Sequence, residues 1–143
     1  MQHHWSVLCQ SSAIDIDSNL LSLYDCLEEV NVNTQAKPGA TINLPINFEV
    51  VSFISDNQTK GNRKINLKVQ LFDPKGKQIN EFGGELFFKE GSKRLRSRLK
   101  IQGLTLSESG VYNMHLNFEG VEDVDFKADC DLPLEVNISY KIL

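Results

Sequence analysis

Cysteine is scarce in this chain. Cys9, Cys26 and Cys130 are an odd number, widely spaced, with no Cys-x-x-Cys pair. A disulfide scaffold is denser and even-numbered, and a structural zinc site needs ligand pairs a few residues apart, so neither is expected. The three residues read as reduced thiols acting as small apolar side chains in or near the core, with a Cys9–Cys26 bridge between the first two strands as the alternative. Long apolar runs are missing too: nothing approaches the roughly 20 residues of a membrane-spanning helix. Met1 to Gln10 has neither the basic start nor the apolar stretch of a secretory leader, so the cytoplasm is the expected compartment. A basic excess is absent, since 15 Lys and Arg stand against 19 Asp and Glu for a net charge of −4. That excludes a surface built wholly for nucleic acid. Glycine-rich phosphate loops, glycine-flanked serines and a defensible Cys–His pairing are lacking as well. No catalytic constellation is found, no cofactor is expected, and an enzyme is the least favoured class.

What is present is alternation. The 143 residues, 41% apolar and 24% charged, suit one domain over 1–143 with enough apolar surface for its own core. Ile65, Leu67, Val69 and Leu71 face one way, and Asn66, Lys68 and Gln70 the other. The same period of two runs through Tyr112, Met114, Leu116 and Phe118, and from Leu132 through Leu134, Val136, Ile138 and Tyr140 to Ile142. Residues 42–54 alternate as Ile42, Leu44, Ile46, Phe48 and Val50, then change phase to Val51 and Phe53, which predicts a β-bulge near Val50–Val51. Asp73-Pro74-Lys75-Gly76 carries turn residues at the right offsets to close a hairpin between 63–73 and 77–88. Gly83-Gly84 inside the second arm of that hairpin suggests a kink or bulge. Leu20–Val30 fits strand at least as well as helix and is read as strand. The expected fold is all-β: a single antiparallel β-sandwich of about eight strands. Its predicted core comprises Leu44, Ile46, Phe48, Leu67, Val69, Leu71, Leu99, Ile101, Tyr112, Leu116, Phe118, Leu134, Val136 and Ile138.

Leu106-Ser107-Glu108-Ser109-Gly110-Val111-Tyr112-Asn113-Met114 resembles the E–F corner of immunoglobulin-like domains, with Met114 where a cysteine is usual. The resemblance implies an immunoglobulin-like architecture in which the Tyr112 hydroxyl returns to the backbone of the corner. The segment Leu21-Ser22-Leu23-Tyr24-Asp25, following a first strand that ends near a cysteine, is similar to one in a family of small bacterial β-sandwich proteins without an established activity. That likeness implies a bacterial cytoplasmic sandwich and nothing about mechanism.

Charge is segregated. In Lys93-Arg94-Leu95-Arg96-Ser97-Arg98-Leu99-Lys100-Ile101, a strand places Arg94, Arg96, Arg98 and Lys100 on one face, about 7 Å apart. Such a row docks an acidic partner, or is a solvated face neutralised by Glu81, Glu85 or Glu90 on a neighbouring strand. No aromatic residue interleaves with these cations in sequence, which argues against a base-stacking platform and makes nucleic acid an unfavoured partner. Glu119, Glu122, Asp123, Asp125, Asp129 and Asp131 form a complementary acidic stretch, in which Asp125, Asp129 and Asp131 are weak Ca²⁺ candidates. His3 and His4 are adjacent and therefore point to opposite faces of a strand, and His115 is expected to face solvent, so a zinc site is not expected. The functional expectation is a non-catalytic protein-binding or scaffolding module. It would act through the basic strand and the acidic loop, on a protein partner or a second copy of itself, with no membrane role. A ligand- or Ca²⁺-binding domain and a weak nucleic-acid binder are the alternatives.

Overall fold

The computed structural model describes residues 1–58 and 60–141, so Ile142 of the last alternating segment lies outside the described residues. Every regular element described is a strand: β1 (Gln2–Ile14), β2 (Leu21–Cys26), β3 (Glu29–Thr34), β4 (Ile42–Ser55), β5 (Arg63–Phe72), β6 (Gln78–Phe88), β7 (Arg94–Leu106), β8 (Gly110–Gly120) and β9 (Lys127–Tyr140). They form two sheets, ordered β2-β1-β4-β7 and β3-β9-β8-β5-β6, an arrangement compatible with a β-sandwich. One detail departs from expectation. The nine strands among the described residues lie close to the expected number, but β3 is not antiparallel: it runs parallel to β9, from Glu29↔Glu135 to Thr34↔Tyr140.

The alternating residues fill the space between the sheets. Phe48, Leu67, Val69, Leu71, Ile101, Tyr112, Leu116, Phe118, Leu134 and Val136 are buried, while Leu44, Ile46, Leu99 and Ile138 pack half-buried against them. Each fully buried aliphatic or aromatic side chain contributes about 1.5–3 kcal/mol. The Asp73 turn closes the β5–β6 hairpin as the sequence suggests: Gly76 donates to the Asp73 carbonyl, and Asp73 Oδ1 accepts from the Lys75 and Lys77 amides, each at 2.9 Å. Gly76 takes φ +83°, which a side chain would oppose.

Two local expectations fail for physical reasons. The β4–β7 register runs without a break through Val50↔Leu99 and Val51↔Arg98; the irregularity lies between Leu44 and Asn47. Val50 and Val51 are both apolar because both faces of β4 are covered there, and Val51 is 0% exposed although it points away from the other sheet. Gly83 and Gly84 pair in regular register with Lys68 and Leu67, with no bulge.

At the corner before β8, the Tyr112 hydroxyl donates to the Glu108 carbonyl at 2.7 Å and accepts from the Ser107 and Glu108 amides at 3.1 Å. This is the return to the backbone that the segment's resemblance implies. At the opposite end of the chain's loops, Asp56 and Arg63 form a buried pair at 2.6 Å. Arg63 Nη2 also donates to the carbonyls of Lys89 and Ser92, Arg63 Nη1 donates to that of Gln58, and the guanidinium lies over the Phe88 ring at 5.0 Å. The Met1 amine stands 3.7 Å from Asp56.

The first hairpin sets the shape of the outer surface. β1 pairs with β4 from Gln2↔Ser55 to Cys9↔Glu49, and Ser11–Ile14 then pair with β2 and with no other strand. Asp25, at the root of this arm, has φ +52°. The tip is exposed but tethered. Arg96 of β7 donates to the Asn19 carbonyl at 2.7 Å and to Asn19 Oδ1 at 2.6 Å, so the arm folds back across the outer face of β4 and β7. That fold-back covers Cys9, Glu49 and Val51, all buried on a face that alternation alone would leave to water.

Candidate functional site

The basic row exists as expected. Arg94, Arg96, Arg98 and Lys100 share the outer face of β7, the edge strand of its sheet, while Leu95, Ser97, Leu99 and Ile101 turn inward. Its neutralisation by the glutamates of a neighbouring strand does not occur. The strand beside β7 is β4, and Arg94, Arg96, Arg98 and Lys100 stand opposite Ser55, Phe53, Val51 and Glu49. Glu81 and Glu85 sit in the other sheet and pair with Lys68 and Lys64 at 3.3 and 3.2 Å. Among the described residues none of the four cations makes an ion pair within 4.0 Å. Arg96 differs from its neighbours, since its guanidinium is engaged by Asn19 and ties down the arm.

Aromatic side chains stand beside the row, which the linear sequence conceals. Phe53 is opposite Arg96, and Trp5 is opposite Phe53, so the three lie in one line across β7, β4 and β1. The Trp5 and Phe53 rings stack at 5.9 Å, and His4 lies 4.8 Å from Phe53. The signal was available only through strand pairing, because Trp5, Phe53 and Arg96 are distant in sequence.

The acidic residues separate. Phe126 is buried, and Val121 and Val124 are half-buried, so the connection between β8 and β9 packs down rather than projecting as a free acidic loop. Asp125 belongs to that connection, whereas Asp129 and Asp131 are on β9 and flank His115 of β8 at 3.3 and 2.7 Å. Asn117 and Asn113 donate to the same two carboxylates at 2.8 and 2.9 Å. Hydrogen bonds from Asn113 and His115 hold the Asp131 carboxyl below the usual carboxylate range. The structure therefore brings Asp129 and Asp131 together around an imidazole and leaves Asp125 apart from them. Among the described residues no group of three His, Cys, Asp or Glu is gathered as a metal site.

The cysteines take three different places. Cys9 and Cys26 are directly opposed at the root of the arm, and both thiols are free. Cys9 is buried, and its thiol is pushed up to about 11 by burial, then by the Glu49 carboxylate and Cys26. Cys26 is exposed, which corrects the expectation that it sits in or near the core, and Cys130 is half-buried between the sheets. Nearby, Ser6 Oγ lies 2.7 Å from both His3 Nε2 and Ser52 Oγ, and the His3 ring rests 4.9 Å from Phe118. This buried seam satisfies polar atoms between the sheets. Burial, then the neighbouring His4, lowers the His3 pKa, favouring a neutral imidazole.

Comparison with known protein families, with characterised proteins and with solved structures returns no match to this chain, so neither immunoglobulin membership nor the likeness to a bacterial family gains support from relatives. Among the described residues no helix is long and apolar enough to cross a membrane.

Proposed function

We propose that the chain is a non-catalytic binding module, immunoglobulin-like in architecture, that captures an acidic protein surface on the outer face of β7. One observation carries this reading: Arg94, Arg98 and Lys100 form an aligned cationic row on an edge strand, and Glu81 and Glu85 pair with lysines of the other sheet instead. Unpaired, aligned charges of one sign steer and orient a partner of the opposite sign. The sheet order and the Tyr112 corner support the immunoglobulin-like part of the reading. A bacterial, cytoplasmic setting accords with the sequence of the first strands.

A second reading, weak binding of single-stranded nucleic acid, is favoured by the Trp5–Phe53 stack beside Arg96. Arginine flanked by aromatic rings is the usual composition of such surfaces. Fluorescence anisotropy with a labelled Glu/Asp-rich peptide and with a labelled oligothymidylate separates the two readings. Peptide binding that survives Phe53→Ala supports the protein-binding module. Oligonucleotide binding that Phe53→Ala removes, with no peptide binding, overturns it in favour of the second reading.

A further inference from the structure

We propose that the cavity between the folded-back arm and the outer face of β4 and β7 is a binding site for a small hydroxylated anion of the sugar-phosphate class. The cavity has a volume of about 310 Å³, at the lower end of small-molecule sites. Its walls mix the apolar Phe48 and Ile101 with polar groups: Ser12 from the arm, Asn47 and Glu49 from β4, and Arg98, Lys100 and Gln102 from β7.

Two of these groups make no hydrogen bond among the described residues. Glu49 is 5% exposed and makes no hydrogen bond or ion pair within the described residues, although Lys100 is its cross-strand neighbour. Ser12 Oγ is buried with no hydrogen-bond partner. Packing does not require a carboxylate at this largely covered position. Val51, the next residue of β4 on the same face, is apolar and completely buried. The unpaired carboxylate and hydroxyl are therefore positioned for donors and acceptors that arrive with a ligand.

The charges define that ligand. Glu49 accepts hydrogen bonds from hydroxyl groups and repels an anion placed against it. Arg98 and Lys100 attract an anionic group on the side nearer β7. Asn47 and Gln102 offer both donors and acceptors, as polyol recognition needs. A neutral sugar leaves the cations unused, and inorganic phosphate leaves Glu49 and Ser12 unsatisfied. A molecule with hydroxyls at one end and a phosphate at the other satisfies both.

Calorimetric titration of the whole chain with glucose 6-phosphate, ribose 5-phosphate and glycerol 3-phosphate, and separately with glucose and inorganic phosphate, tests the assignment. At least one phosphate ester should give a saturable heat, with glucose and inorganic phosphate at least tenfold weaker. Glu49→Gln should weaken ester binding at least tenfold while leaving the melting temperature nearly unchanged, since the side chain makes no ion pair among the described residues. Ser12→Ala, which leaves the carboxylate in place, should weaken binding several-fold and serves if the Glu49 variant does not fold. Arg94 lies outside the cavity, so Arg94→Glu should leave ester binding intact whether or not the partner face proposed above is correct. The absence of heat with every ester, phosphate alone binding as tightly as the esters, or full binding by Glu49→Gln would each overturn the site.

Discussion

Arg96 and Asn19, 77 positions apart, are joined by two hydrogen bonds, to the Asn19 carbonyl at 2.7 Å and to its side-chain oxygen at 2.6 Å. Asn19 holds φ +59°, a conformation asparagine tolerates better than most residues, and Asp15 Oδ1 accepts from the Asp17 and Ser18 amides to shape the same turn. The contact converts a hairpin that has left its sheet into a strap across β4 and β7. It also exposes Ile16, 98% accessible, at the strap's tip.

Breaking this tie should loosen the arm without unfolding the protein. Arg96→Ala is expected to cost about 1 kcal/mol or less in global stability, as for other exposed polar contacts. Hydrogen exchange should accelerate for amides between Ser11 and Leu23 and stay unchanged in β8 and β9. Uniform acceleration through both sheets would mean that the contact supports the whole fold.

The Asp56–Arg63 pair is of a different kind, because both side chains are buried and Arg63 holds together three loop carbonyls. Arg63→Ala leaves Asp56 buried without its guanidinium and should cost about 3–5 kcal/mol, measured by urea unfolding. Burial works to raise the Asp56 pKa, but hydrogen bonds from the Gln58 amide and Arg63, with the charges of Met1 and Arg63, bring it below the ordinary value of 3.8. A lowered folded-state pKa means that the unfolded chain takes up the proton first. The pair's stabilisation is therefore present above pH 4 and fades as pH falls through the folded-state value. In Asp56→Asn that acid-side loss should be smaller than in the parent.

Tyr112→Phe removes the group that serves the Glu108 carbonyl and two amides at the β7–β8 corner. A loss of about 1–3 kcal/mol is expected, with the same ring packing retained. An unchanged denaturation midpoint would show that water replaces the hydroxyl at no cost.

The thiols should react in a fixed order. Cys26 is exposed, whereas Cys9 is buried with its thiol pushed up to about 11, so little thiolate is available there at neutral pH. Iodoacetamide should label Cys26 first and Cys9 last in the native state, read by peptide mass spectrometry. Equal labelling would place the root of the arm in solvent.

The strands were legible in the sequence wherever one face is wet and the other dry, as in β5, β8 and β9. β4 misled because burial on both faces erases the alternation: Val50 and Val51 look like a phase slip and are instead covered from opposite sides. The cationic row of β7 was visible as spacing, but its neighbours were not. Whether Arg96 faces a glutamate or Phe53 depends on a pairing between strands that are far apart in the chain. The candidate cavity was hidden for the same reason, since Ser12, Glu49 and Lys100 meet only after the arm folds back.

Reversing charge on the outer face of β7 tests most directly whether that face is where this protein binds. Anisotropy titrations of a labelled Glu/Asp-rich peptide at low ionic strength compare the parent with Arg94→Glu/Arg98→Glu, whose positions are exposed and outside the core. The parent should bind with an affinity that falls steeply as salt is raised, and the double variant should lose at least tenfold with its melting temperature nearly unchanged. Equal affinity in the two proteins, or no binding by the parent even at low salt, would contradict a partner-binding role for the strand.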